Sequence, residues 1–159
     1  STQAKTLFPY TTLFRSVLTG DKQLIDNIRK FGAQADQALS QIVMATAQNI
    51  RTRAIRSIQG GPKTGKAYEK YAPRRTHRAS SPGQAPATDT GRLASSIMAD
   101  ITGLTAEVSA NVQYAAPLEF GTINMAPRPF LEPALEAERE KFNARLQKLA
   151  DEASKGLTP

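Results

Sequence analysis

Apolar residues recur at three- and four-residue intervals through the first third of the chain: Leu24, Ile28, Phe31, Ala35, Leu39, Ile42, Ile50, Ala54 and Ile58. That spacing lines them up as one stripe on a helix. Asp21 is a suitable N-cap, so the pattern predicts a long helix from about 21 to 58. At 1.5 Å per residue such a helix would span roughly 55 Å, beyond the ~30 Å of a small domain, and part of it is expected to pack on another subunit. Gly32 weakens the run by ~1 kcal/mol and can divide it into two helices. Ahead of it, Val17-Leu18-Thr19 suits a short edge strand ended by Gly20, and Gly60-Gly61-Pro62 stops the helix.

From 60 to 87 the apolar periodicity disappears. Glycines and four prolines (Pro62, Pro73, Pro82, Pro86) take its place, which predicts a long loop or arm at about 60–88, mobile until a partner orders it. Thr88-Asp89-Thr90 then offers cap side chains for a short helix carrying Leu93 and Ile97. Two alternating stretches follow. Ile97, Ala99 and Ile101 share one face; Ala106, Val108, Ala110 and Val112 share another, with Glu107, Ser109 and Asn111 opposite. Gly103-Leu104 between them predicts a β-hairpin with one buried face. A brief helix from Tyr114 to Phe120 is ended by Gly121, and Met125 to Pro129 is extended because two prolines forbid regular pairing. The last helix is expected from about Phe130 to Ala153, with Leu131, Leu135, Phe142, Leu146 and Leu149 as its stripe. The fold class that follows is α+β.

Charge changes the picture more than composition does. Of the 159 residues 40% are hydrophobic, enough for one domain with a modest core, and the net charge is +7. Residues 60–92 hold seven bases (Lys63, Lys66, Lys70, Arg74, Arg75, Arg78, Arg92) against two acids. Segment 17–59 has six bases and three acids, whereas 93–159 has six bases and nine acids. A basic first half and an acidic second half suit head-to-tail packing of identical subunits, although solvated helix faces would produce the same count. Residues 1–16 differ from the rest. TLFPYTTLFRS resembles a translated sequencing adapter, lacks the order of a secretory signal, and is left out of the expected domain, 17–159. No apolar run approaches the ~20 residues of a membrane span.

No catalytic constellation assembles from the residues. Without cysteine and with His77 alone, thiolate and histidine metal sites are excluded. Gly60-x4-Gly65-Lys66 is one residue short of a phosphate-binding loop, because Ala67 stands where Mg²⁺ needs a hydroxyl, and it follows a helix instead of a strand. Serines 80, 81, 95 and 96 have no base partner beyond distant His77, and Glu132, Glu136 and Glu140 read as a solvated helix stripe. No enzyme activity and no cofactor are expected. The basic stretch 60–92, with Tyr68 and Tyr71 for stacking, leaves sequence-independent DNA binding as the alternative function.

Four co-ordered segments carry a resemblance. They are Ser80-Ser81-Pro82-Gly83-Gln84-Ala85-Pro86-Ala87; Asp89-Thr90-Gly91-Arg92-Leu93 with Ser96-Ile97; Tyr114-Ala115 leading to Glu119-Phe120-Gly121-Thr122; and Arg128-Pro129-Phe130-Leu131-Glu132-Pro133-Ala134. With Val17-Leu18-Thr19-Gly20 before a helix, the chain from 17 to 150 resembles a morphogenesis family of siphophages: head–tail joining, tail-completion or tail-terminator proteins of the neck. Pro117-Leu118 departs from its pattern. The resemblance implies a virion protein assembled in the host cytoplasm, a closed ring of six or twelve subunits, contacts with head-completion and tail-tube proteins, and a channel for DNA. The residues expected at assembly contacts are Arg74, Arg75 and Arg78 of the basic arm together with Arg92, Tyr114, Glu119, Phe120, Gly121, Arg128 and Phe130 of the resembling segments, with Glu119 and Arg128 a candidate ion pair within or between subunits.

Overall fold

Helix α1 runs over Ala33–Gly60 in the computed structural model, which describes residues 14–18, 32–71 and 74–155. Its 28 residues make a rod of about 42 Å. Gly32 stands at its N-cap with φ 92, so this helix begins directly after the glycine named as a possible break; residues 19–31, before it, lie outside the described residues. Asp21 as a cap, and Leu24, Ile28 and Phe31 as stripe positions, lie outside the described residues. Ala35, Leu39, Val43, Ala47, Ile50, Ala54 and Ile58 are buried along one stripe. Full burial of an Ile or Leu side chain contributes about 1.5–3 kcal/mol, so this stripe is the main reason the helix holds. Thr46, fully buried beside it, donates its hydroxyl to the Ile42 carbonyl at 2.7 Å.

The expected hairpin is present. Strands β4 (Ile97–Thr102) and β5 (Thr105–Ala110) pair antiparallel around Gly103, whose φ of 60 suits the two-residue turn. Ile97, Ala99, Ile101, Ala106, Val108 and Ala110 share the inner face, which packs on α1. On the other edge of β5 lies β1 (Phe14–Leu18), giving the order β1-β5-β4. The edge strand therefore begins three residues before Val17 and takes in Phe14, Arg15 and Ser16, which belong to the segment left out of the domain.

The short helices α2 (Arg92–Ser95) and α3 (Ala115–Phe120) follow their predicted places, and α4 spans Glu132–Lys155. Leu131, Ala134, Phe142 and Leu146 are buried against α1, with Leu135 and Leu149 partly so. Glu138 reaches Asn49 and Arg53 while Arg145 reaches Thr46, so α4 runs antiparallel to α1. The result is α+β, as expected.

One element was not foreseen. Inside the predicted loop, β2 (Ala67–Tyr71) pairs antiparallel with β3 (Arg74–Arg78). Most of their side chains are exposed, so no hydrophobic alternation announced them. Gly65 and Lys66 extend the ladder, Gly65 donating to the Ala79 carbonyl at 2.9 Å and Ala79 to that of Lys66 at 3.0 Å. A Cβ at Gly65 would sit 2.7 Å from the Ser80 carbonyl oxygen, so the near-match to a phosphate loop is a close strand approach. Residues 80–88 are tied down as well: Gly83 donates to the Pro127 carbonyl at 2.9 Å and Thr88 to that of Ile58 at 3.3 Å.

Candidate functional site: an arginine-lined cleft

The return of residues 79–93 across the end of α1 leaves a surface cleft of about 290 Å³. Ser80, Pro86 and Ala87 come from the first resembling segment, Asp89 to Leu93 from the second, Tyr114 and Leu118 from the third, and Arg128 from the fourth. His77 and Ile58 complete the wall. Residues spread over seventy positions of sequence thus meet around one opening.

Asp89 organises one side. It does not cap α2; Gly91, at φ 80, holds the N-cap position. Its carboxylate instead pairs with Lys70 and Arg75 of the hairpin, with His77 Nδ1 4.0 Å away. In an antiparallel ladder Tyr68 faces His77 and Lys70 faces Arg75, so Lys70, Arg75 and His77 project from one face toward Asp89. The hydrogen bond from Lys70 is the main influence holding the Asp89 carboxyl below its ordinary value; partial burial opposes it, and the charges of Arg75, Lys70 and His77 add to the lowering. Arg74 and Arg78 lie on the other face of β3, exposed, and Tyr71 is 79% exposed.

The other side is formed by Arg92, Tyr114 and Arg128. Among the described residues neither arginine has a carboxylate partner. Arg92 is exposed, Tyr114 is 42% exposed, and the Arg128 Nε is buried without a hydrogen-bond partner.

Glu119 follows the cleft-lining Leu118 but does not line the cleft itself. It is 2% exposed and accepts backbone N–H groups from Phe130 (2.9 Å), Leu131 (3.2 Å) and Glu132 (2.7 Å). Those amides open α4 and have no partner within the helix, so a buried carboxylate from eleven residues upstream serves as its cap. Both Glu119 oxygens are used in this way, and the candidate ion pair with Arg128 does not form within the subunit. Gly121 ends α3 at φ 78, where a Cβ would lie 2.7 Å from the Met125 carbonyl oxygen and 2.9 Å from the Pro127 nitrogen. Phe130, expected at an interface, is 1% exposed and belongs to the core. Phe120 is 64% exposed. The ten expected residues therefore divide: Arg92, Tyr114 and Arg128 line the cleft, Arg74, Arg75 and Arg78 flank it on β3, Glu119, Gly121 and Phe130 hold its frame, and Phe120 stands apart on the surface.

Sequence reasoning missed Lys70 and His77 as partners of Asp89, and it missed Glu138. Glu138 is 2% exposed on α4 and binds Arg53 at 2.9 Å, Lys141 at 2.9 Å and Asn49 at 3.3 Å. Burial is the largest single influence on its carboxyl and pushes it up, but hydrogen bonds from Lys141 and Arg53, with their charges, leave it lowered overall. An acid between the stripe positions Leu135 and Phe142 was the available signal. No group of three or more metal-ligating side chains occurs among the described residues, and no described helix is long and apolar enough to cross a membrane.

A family model described as "Bacteriophage HK97-gp10, putative tail-component" matches residues 22–121. No curated protein and no solved structure matches the chain.

Proposed function

The chain belongs to the HK97-gp10-like family of bacteriophage tail components, and on that ground we propose that it is a non-enzymatic ring subunit of the phage neck. In this role it joins or completes the tail and leaves a channel for DNA. One observation carries the reading: the four resembling segments all line or brace a single surface cleft. Two arginines line that cleft without a carboxylate partner among the described residues, and the hydroxyls of Tyr114, Thr88 and Thr90 stand beside them. Ser80, His77 and Asp89 also line it, but among the described residues no hydrogen bond joins Ser80 to His77, and Asp89 is committed to Lys70 and Arg75, so the lining suits recognition of a neighbour better than nucleophilic chemistry.

The mechanism is assembly. Ring closure requires two different patches per subunit, one meeting the other on the next copy. The basic hairpin and cleft supply one patch, and the acidic 93–159 half the other. Head-completion and tail-tube proteins would meet the two ends of the ring. Imaging of purified protein and of the head–tail junction tests this: a closed ring of six or twelve subunits is expected, and density for this chain outside the neck sinks the reading.

The hairpin's exposure favours one rival. Tyr71, Arg74 and Arg78, on the face turned away from Asp89, together offer a stacking face and phosphate contacts for sequence-independent DNA binding. Salt-sensitive retention of the isolated subunit on duplex DNA would support it.

A further inference from the structure

We propose that the cleft is a carboxylate-binding site, and that its occupant is the acidic ridge of α4 on a second copy of this chain. The site's chemistry stands on the cleft alone; the identity of the occupant rests on the ring reading above.

The charge around the cleft is unbalanced. Asp89 is the one carboxylate in its wall, and it is already committed to Lys70 and Arg75. Arg92 and Arg128 face the same space with two planar guanidinium forks, the geometry that grips a carboxylate through paired N–H donors. Tyr114 adds a hydroxyl at the rim.

Arg128 supplies the independent observation. Its Nε is shut away from solvent and makes no hydrogen bond among the described residues, an unfavourable setting for a polar atom of a cation. Its backbone is fixed by a 2.7 Å hydrogen bond to the Leu118 carbonyl, and Pro127 and Pro129 stiffen both sides. The chain therefore holds this side chain at the cleft with one of its donor nitrogens unsatisfied. A contact that returns the lost interaction accounts for that placement.

The size of the opening selects the ligand. About 290 Å³ lies just under the ~300–1,000 Å³ typical of small-molecule pockets and admits one or two side chains. A DNA duplex is a convex rod and can offer a concavity of this size no more than a single phosphate. A carboxylate on a side-chain stem can enter it. Glu132, Glu136 and Glu140 stand exposed at four-residue spacing on α4, forming one ridge. They belong to the half of the chain that carries nine acids against six bases. Cleft and ridge are separate patches of one subunit, the requirement for a head-to-tail contact.

The experiment has two arms. In the first, the Arg128 Nε–H resonance of dilute, unassembled protein is followed while N-acetylglutamate is added. A saturating shift is expected in the wild type, with at least tenfold weaker binding in Arg92→Gln; no shift overturns the site. In the second, Arg92→Glu is compared with the double variant Glu136→Lys/Glu140→Lys by native mass analysis. Each alone should assemble at least tenfold more weakly than wild type, and an equimolar mixture should recover, because the swapped charges are again complementary. If wild type assembles and the mixture does not, α4 of a second copy is not the occupant and the proposal fails. If wild type stays monomeric at every concentration while the resonance shifts, the ring reading fails and the carboxylate site stands.

Discussion

The Glu119 carboxylate accepts the Phe130 backbone N–H at 2.9 Å, tying the end of α3 to the opening of α4 across a turn that contains Pro127 and Pro129. The two residues sit in separate sequence segments, and their contact explains why both are needed in one fold. Removing the carboxylate in Glu119→Ala leaves buried amides of Phe130 and Leu131 without an acceptor. Stability should fall by about 2–4 kcal/mol in urea denaturation. Glu119→Gln keeps one acceptor oxygen but loses the charge facing the helix N-terminus, and should cost about 1–2 kcal/mol. Equal losses for both variants would show that the charge is immaterial.

Gly121 and Gly83 share φ 78, yet a Cβ at Gly83 meets nothing within 4 Å while one at Gly121 collides with backbone at Met125 and Pro127. Gly83→Ala should therefore cost only the left-handed strain, about 1–2 kcal/mol. Gly121→Ala should cost clearly more, because the turn under α4 must open. Thermal unfolding of the two variants side by side isolates the collision; equal midpoints would remove it from the account.

Much of this architecture is legible in the sequence because hydrophobic period reports burial. The α1 stripe from Ala35 to Ile58, the alternation of β4 and β5, and the Leu131–Leu149 stripe each face the core, and each appears where predicted. The β2–β3 hairpin escaped because its alternation is of charge: Lys70, Arg75 and His77 face Asp89, and the opposite face is solvated. Asp89 and Glu119 were read from local position, as a cap for α2 and as half of an ion pair. Their actual partners lie 14 to 19 and 11 to 13 residues away, set by tertiary packing that local spacing does not encode.

Acid should weaken the fold through two carboxyls. Asp89 and Glu138 are both held below their ordinary values, 3.8 and 4.5. In the folded chain they stay charged at pH values where the unfolded chain has taken up protons. Their contribution is complete above the ordinary values and is lost as pH falls through the lowered ones; raising pH from neutrality leaves it untouched. Urea midpoints should drop on acidification below about pH 4, less steeply in Glu138→Gln. That variant should itself lose about 1–2 kcal/mol at neutral pH, since Arg53 and Lys141 are about half exposed and regain water. In Asp89→Asn, amide exchange across 67–78 should accelerate while α1 stays protected. Unchanged exchange there would dismiss Asp89 as the anchor of the hairpin.

Truncation should separate β1 from what precedes it. Removing residues 1–13 leaves the pairing of Phe14–Leu18 with β5 intact, and the thermal midpoint should hardly move. Removing 1–18 strips one edge of β5 and leaves its backbone groups unpaired, so several degrees should be lost and aggregation should increase. A cut after Ser16 leaves two residues of the strand and should fall between. Identical midpoints for all three would mean that β1 adds nothing to stability.

The three arginines of β3 should behave unequally when reversed. Arg74 and Arg78 are exposed on the face turned away from Asp89, whereas Arg75 is paired with it. Arg74→Glu with Arg78→Glu should leave circular dichroism unchanged and weaken assembly, most visibly at low salt, where charge contacts act over longer range. Each exposed pair is worth only ~0.2–1 kcal/mol, but a closed ring repeats it at every interface, so a small change per subunit becomes a measurable shift in oligomer population. Arg75→Glu acts differently. It sets a carboxylate against Asp89, repels it, and should free the hairpin before any interface is considered. Sedimentation beside DNA retention separates the readings. If the Arg74/Arg78 variant assembles like wild type and releases DNA, the hairpin faces the channel. If it fails to assemble and DNA retention is unaltered, the hairpin faces the neighbouring subunit, which is the outcome expected.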